Sequence, residues 1–206
     1  MGKRLFDLAA SGTALLLLSP LLFAIAVAVK MDSKGPVLFR QIRVGKDSRT
    51  FRIRKFRTMR PDTGRRNLQV TAADDPRITR TGRFLRRWKL DELPQLLDVL
   101  IGNMSVVGPR PEVPRYVDYW PPDLREIILS VRPGLADPAS IAFLEEETML
   151  AGAADPHRVY VERILPAKVS LYAEYVTTAT MLGDLRILLE TLKALATRHR
   201  KASDAT

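Results

Sequence analysis

Residues 8–29 read LAASGTALLLLSPLLFAIAVAV, 22 positions without a charge, and the placement of this run decides the architecture of the whole chain. As one straight helix it is long enough to cross a hydrocarbon core of about 30 Å. Ser19-Pro20 falls in its middle. A proline there removes a backbone donor and clashes with the preceding turn, so a kink or break is expected. Each half is then about 16 Å of helix, too short to span alone. Lys3 and Arg4 precede the run and Lys30, Lys34 and Arg40 come after it, whereas a spanning helix biases its cations to one side. A hairpin dipping into one leaflet satisfies both observations, with Ser19 and Pro20 near its deepest point and both ends on the cytoplasmic face. A straight span, a cleaved signal peptide and a buried helix of a soluble core are the alternatives. The run is long for a signal peptide and continues into Val27-Ala28-Val29-Lys30-Met31. So long an uncharged stretch is also unusual in a soluble core.

The chain has 206 residues, 46% of them hydrophobic and 27% charged, the balance of one globular domain or a domain with an appendage. It has no cysteine, which excludes disulfides, Cys-ligated zinc and thiol catalysis. The formal charge of +10 is concentrated: residues 30–66 hold 13 Lys/Arg against three acids, and residues 67–206 hold 18 against 19. This basic segment abuts the apolar run, so bilayer lipids are its nearest anion. A nucleic-acid partner is not expected.

Val37 to Val44 and Phe51 to Phe56 flank Gly45-Lys46-Asp47-Ser48, the composition of a hairpin turn, and Phe51 and Ile53 alternate with Arg52 and Arg54. Such a basic ribbon attracts anionic headgroups. Pro61 to Asp75 reads as a polar loop. Ile78 to Trp88 has helical spacing, and Leu93 to Ile101 is a short helix starting near Pro94 and ending at Gly102-Asn103. Val107-Gly108-Pro109-Arg110-Pro111 is a rigid loop. Asp123 to Arg132 is an amphipathic helix stopped by Pro133-Gly134, and Pro166 to Ala196 carries one helical pattern that covers the core or lies on the membrane surface. The fold class is therefore α+β and mostly helical. A re-entrant membrane helix hairpin (1–30) leads into a small cytoplasmic domain (31–197) with a basic β-hairpin and amphipathic surface helices, then a polar tail (198–206).

Leu90-Asp91-Glu92-Leu93-Pro94 sets two adjacent carboxylates at a helix start. Adjacent carboxylates repel, so at least one needs a cation or a shared proton. Mg²⁺, which favours one or two carboxylates with substrate phosphates, would supply the cation, and the second carboxylate could attack phosphorus. The plainer alternative is an acidic helix start with Asp91 as its N-cap. Lys55, Arg57, Arg80, Arg86 and Arg110 lie in separate elements that could converge on Asp91 as phosphate ligands, or could form a solvated basic face. His157 reads as a surface loop residue, and Glu145-Glu146-Glu147 as a solvated helical face.

A series of motifs carries a resemblance. They are Met31-Asp32-Ser33-Lys34-Gly35-Pro36-Val37, Arg40-Gln41, Lys55-Phe56-Arg57-Thr58-Met59, Asp75-Pro76-Arg77-Ile78-Thr79-Arg80, Leu90-Asp91-Glu92-Leu93-Pro94-Gln95-Leu96, and Met104-Ser105-Val106-Val107-Gly108-Pro109-Arg110-Pro111-Glu112. From Lys3 to Glu112 the chain resembles the bacterial sugar transferases of the monotopic phosphoglycosyl transferase family. The resemblance implies transfer of a sugar phosphate from a nucleotide-sugar donor, usually of UDP, to a polyprenyl phosphate acceptor at the cytoplasmic face of a bacterial inner membrane. Asp91 would be the nucleophile, releasing UMP and carrying the phosphosugar. Glu92 would hold Mg²⁺, Arg86 would bind an anionic group, and Lys55 and Arg110 match basic positions of the active-site motifs. The family's re-entrant helix, broken at a Ser-Pro pair, matches Ser19-Pro20, and a homodimer is left open. Two features depart from the pattern. Lys89 stands where members often have Ser or Thr, and Leu135-Ala136-Asp137-Pro138-Ala139-Ser140 replaces a Gln-Val-containing, glycine-rich stretch. A non-catalytic membrane-surface adaptor that binds anionic lipids is the competing expectation.

Overall fold

The computed structural model describes residues 2–60, 75–151 and 153–203; the polar loop expected over Pro61 to Asp75 lies outside them except for Asp75. The chain begins with α1 (Gly2–Asp32), one helix with Pro20 inside it. Of the kink or break expected there, the break does not occur: the helical backbone runs on through the proline. Pro20 cannot donate to the carbonyl four residues back, that of Leu16, and the Ser19 hydroxyl donates to that same Leu16 oxygen at 2.8 Å. A neighbouring side chain thus satisfies the group that the proline orphans.

Both ends of α1 are bonded to the rest of the protein. At its start Lys3 reaches the Tyr175 hydroxyl and the Asp184 carboxylate. Arg4 donates to the Val99 and Leu100 carbonyls at 2.7 and 2.9 Å. Buried Asp7 accepts from the Ser105 hydroxyl at 2.9 Å and the Val106 amide at 3.0 Å. At its end, Asp32 accepts from the Thr81 amide at 2.8 Å. No residue between Gly12 and Ala24 is buried, and Leu16, Leu17 and Phe23 are each more than 70% exposed.

β1 (Leu38–Val44) and β2 (Thr50–Phe56) form the expected antiparallel hairpin, running from Leu38 opposite Phe56 to Val44 opposite Thr50. Asp47 and Ser48 turn the chain with positive φ. The Arg54 amide donates to Asp98 at 3.1 Å and its guanidinium pairs with the same carboxylate, stapling the hairpin to α3 (Gln95–Ile101). α2 (Arg80–Arg87) precedes α3 and is capped by Thr79, which accepts from the Gly82 amide at 2.9 Å.

A second, two-stranded sheet is parallel and has no counterpart among the elements expected from the sequence: β3 (Ser105–Val107) pairs with β4 (Gly134–Ala136). Each strand has three residues, too few to show alternation. The strands lead into a tight crossing, where a Cβ on Gly134 would meet the Gly108 nitrogen at 2.0 Å. Between them lie α4 (Pro114–Val117) and α5 (Pro122–Leu129). Next come α6 (Pro138–Ala142), α7 (Glu146–Leu150) and α8 (Pro156–Val159), the last running through a wider turn over Tyr160–Ile164 into α9 (Leu165–Thr178).

The single helical pattern expected over Pro166 to Ala196 is two helices, because the chain leaves helical geometry at Ala179. α10 (Met181–Ser203) restarts with the Thr180 hydroxyl accepting from the Gly183 amide at 3.0 Å, and it continues into the expected polar tail. His157 lies on α8, half-buried, its ring 5.6 Å from that of Tyr116. It is not a surface loop residue. Glu146 is not part of a solvated face either: it pairs at 2.8 Å with buried Lys168.

Candidate active site

The carboxylate pair is placed by a change of helix geometry. After α2 the chain passes through Lys89, a non-glycine residue in the left-handed region (φ 54, ψ 20), and then makes a single 3-10 turn over Leu90–Glu92. Pro94, which has no amide hydrogen to lose, leads into α3. Asp91 is not an N-cap: no side chain caps α3 and the buried Asp91 Oδ1 has no hydrogen-bond partner. A buried carboxylate oxygen without a donor is costly and so calls for a functional account.

Its neighbour is the opposite case. Glu92 Oε1 accepts from Lys55 Nζ at 2.8 Å and also from Arg110 Nη2, and Oε2 accepts from Arg110 Nη1 at 3.0 Å. Lys55 comes from β2, one residue before its end, and Arg110 is held between Pro109 and Pro111 after β3. Burial alone would push Glu92 up, but the charges of Arg110 and Lys55 outweigh it and hold this carboxyl well below the usual range. Burial pushes Asp91 up, and the Glu92 charge adds to the rise, against the opposing pull of Lys55, Lys89 and Arg86. Burial also draws Lys55 below its ordinary value, opposed by Glu92. Burial works against the Arg110 cation, yet Glu92 leaves it more firmly protonated than a free arginine. Two adjacent carboxylates therefore have different characters, one paired and charged, the other unpaired and harder to ionise.

Of the five cations named from the sequence, the structure brings Lys55 and Arg110 onto Glu92 and sets Arg86, half-buried in the last turn of α2, where its charge acts on Asp91. Arg57 is directed elsewhere. Its guanidinium donates to the Val29 and Ser33 carbonyls at 3.3 and 2.6 Å and to the Ser33 hydroxyl at 3.0 Å, tying β2 to the end of α1. Arg80 is exposed at the first residue of α2, about 9 Å along the axis from Arg86.

Two features of the surroundings are not apparent from sequence. Gln95 is fully buried one turn beyond Asp91, and its side-chain nitrogen lacks a hydrogen-bond partner. Asp137 is also fully buried and caps α6, accepting from the Ser140 amide at 2.7 Å. Burial raises its pKa and the charge of Arg110 lowers it, which places Asp137 within electrostatic reach of the site. The parallel register of β3 and β4 brings it there, a long-range pairing with no local signal.

Among the described residues no group of three His, Asp or Glu side chains converges as a ready-made metal cage. The donors nevertheless suit a hard cation such as Mg²⁺, which takes one or two carboxylates and completes its shell with water and phosphate oxygens. Asp91 Oδ1 is unpartnered and Glu92 offers oxygens that cations already occupy.

The family model for bacterial sugar transferases matches residues 1–198. Over 197 residues, 95% of the chain, it is 36% identical to a UDP-glucose:undecaprenyl-phosphate glucose-1-phosphate transferase of Caulobacter vibrioides, covering 70% of that protein. It is equally similar over the same length to a UDP-N-acetylgalactosamine-undecaprenyl-phosphate N-acetylgalactosaminephosphotransferase of Aeromonas hydrophila, covering 44% of it. Over 109 residues it is 53% identical to an exopolysaccharide production protein of Rhizobium leguminosarum bv. phaseoli, covering 52% of this chain and 54% of that one. The chain thus spans about half the length of several relatives that it matches.

Proposed function

Since the chain belongs to the bacterial sugar transferase family, we propose that it transfers a sugar-1-phosphate from a UDP-sugar to polyprenyl phosphate through a phosphosugar carried on Asp91, so initiating a polysaccharide or glycoconjugate. The observation that carries the reading is the inequality of the two carboxylates: Glu92 is fully paired, while Asp91 keeps a bare oxygen among cations.

In the first half-reaction an Asp91 oxygen attacks the phosphorus that bears the sugar. The bond from that phosphorus to the bridging oxygen breaks, and UMP leaves with the electron pair. In the second, an oxygen of the lipid phosphate attacks the same phosphorus, and the aspartyl oxygen leaves as a free carboxylate. Both donor and acceptor are anionic, so Lys55, Arg86 and Arg110 would hold phosphate oxygens and offset the charge that develops on them. Their fixed positions place the donor for attack before bond-making begins. Glu92, with Asp91, would hold magnesium, whose chemistry when bound is to draw electron density from phosphate oxygens. Arg57 acts as an anchor for α1, and exposed Arg80 is left to lipid headgroups.

The membrane arrangement rests on α1, which is long and apolar enough to enter a bilayer. Its two ends are bonded to one folded unit, which supports a monotopic placement, and the proposal sets the site at the cytoplasmic face of the inner membrane. The relatives' names include both glucose and N-acetylgalactosamine, so the sugar is set by this chain's own departures, foremost the segment from Leu135 to Ser140.

The test is trapping. Incubation with a UDP-sugar radiolabelled in the sugar, without lipid acceptor, is expected to leave label on the wild-type protein, chased off by polyprenyl phosphate. Asp91→Asn is expected to retain none; label at the wild-type level in that variant removes Asp91 from the nucleophile's role.

A further inference from the structure

The cations on Glu92 bear on how a metal could reach it. Oε1 already accepts from two donors, Lys55 Nζ at 2.8 Å and Arg110 Nη2, while Oε2 accepts from Arg110 Nη1 at 3.0 Å. A divalent cation needs an uncovered carboxylate oxygen. It would also add two positive charges beside a half-buried lysine and arginine whose charges already balance Asp91 and Glu92, so something has to give way.

We infer that Lys55 and a divalent cation are alternative occupants of Glu92: the ammonium holds the carboxylate in the empty enzyme, yields its place to the metal, and then turns to the phosphates of the donor. This rests on reading Glu92 as the carboxylate that holds the metal. Lys55 rather than Arg110 is the side chain that moves. Arg110 grips Glu92 with two guanidinium nitrogens in a planar fork, from a backbone fixed between two prolines. Lys55 makes one bond to it at the end of a flexible four-carbon stem, so it can let go without breaking a fork. The hairpin that carries it is stapled to α3 through Arg54 and Asp98, so the exchange needs no movement of the strand. Metal and diphosphate then bind cooperatively, because each takes one member of a pair that is otherwise closed on itself.

The experiment measures Mn²⁺ binding to the full chain in lipid nanodiscs, without nucleotide, from the electron paramagnetic resonance signal of free Mn²⁺. Lys55→Met is expected to bind Mn²⁺ about tenfold more tightly than wild type, because the competing charge is gone, and to bind UMP more weakly. Lys55→Arg keeps the charge and is expected to bind Mn²⁺ as wild type does. In the wild-type protein, Mn²⁺ is expected to speed acylation of Lys55 by an amine-reactive reagent, read by mass spectrometry, and added UMP to slow it again. Equal or weaker Mn²⁺ binding by Lys55→Met, or Lys55 reactivity indifferent to Mn²⁺, overturns the exchange. If neither protein binds Mn²⁺, the exchange fails together with the metal role of Glu92. If label is trapped on Asp91 while Lys55→Met binds Mn²⁺ as wild type does, only the exchange fails.

Discussion

Asp91 illustrates what one residue costs its own fold. Burial and the adjacent Glu92 raise its pKa, so in the folded protein its charged form is the disfavoured one. An acid whose folded pKa lies above its unfolded value contributes stability below the unfolded pKa, and that contribution is lost as pH rises through the folded one. In metal-free protein at neutral pH, Asp91→Asn is therefore expected to melt a few degrees higher than wild type while losing transfer activity. The difference should close as pH falls towards the ordinary aspartate range near 3.8, where both side chains are neutral. A melting temperature for Asp91→Asn at or below that of wild type at neutral pH would show that the carboxylate is stabilised by its surroundings. The sequence made the adjacent Asp91-Glu92 pair legible, and marked Lys55, Arg86 and Arg110 as cations that could meet it. It did not show which carboxylate is paired, because Lys55 lies 37 residues upstream of Glu92 and Arg110 18 downstream, and only the folded chain says which acid each of them meets. Arg57 looked like a phosphate ligand for the same reason. Its charge was visible, but its partners are backbone carbonyls of α1, which no charge pattern marks.

At the scale of elements, local chemistry set the boundaries that could be read. The β-hairpin and α2 fall within a residue or two of expectation, because alternation and capping residues mark them directly. The parallel β3–β4 pair and the break between α9 and α10 were not legible. The first depends on two three-residue strands far apart in sequence, and the second on two residues, Ala179 and Thr180, that interrupt a continuous hydrophobic rhythm. The seating of α2 depends on a contact of similar subtlety. A Cβ on Gly82 would lie 2.0 Å from the Thr58 carbonyl oxygen, a backbone atom that no rotamer change can move. Gly82→Ala gains about 1 kcal/mol in helix propensity, but overpacking of this kind costs roughly 1–3 kcal/mol, and a clash with backbone falls at the upper end. The variant is expected to unfold at lower denaturant. It should also lose transfer activity beyond what its folded fraction explains, because α2 carries Arg86 towards Asp91. An unchanged denaturation midpoint would mean that α2 is not seated on Thr58 as described.

At the scale of the whole molecule, the bonds at the two ends of α1 constrain how it can meet a bilayer. If α1 crossed, about 30 Å of hydrocarbon would separate its ends. Yet Arg4 and Asp7 at one end are bonded to Val99, Leu100, Ser105 and Val106, and Asp32 and the Val29 and Ser33 carbonyls at the other are bonded to Thr81 and Arg57. Those partners all belong to one folded unit, linked through α3 and the hairpin that Asp98 staples to it. A spanning α1 would have to break one set. These include a buried carboxylate bonded to Ser105 and Val106 and a buried guanidinium on the carbonyls of α1, each costly to strip of its partners. Keeping both sets leaves only the stretch from Gly12 to Ala24 to enter lipid, and that stretch has no buried residue. Because the chain has no cysteine, single cysteines report cleanly. In sealed proteoliposomes, a membrane-impermeant maleimide is expected to label cysteines at Gly2 and Lys34 to the same extent, and from the same side as one at exposed Glu126 on α5. A cysteine at Leu17 should resist the reagent until detergent is added. Labelling of Gly2 and Lys34 from opposite sides would show a crossing helix, and the bonds at one end of α1 could not then exist in the membrane-bound protein.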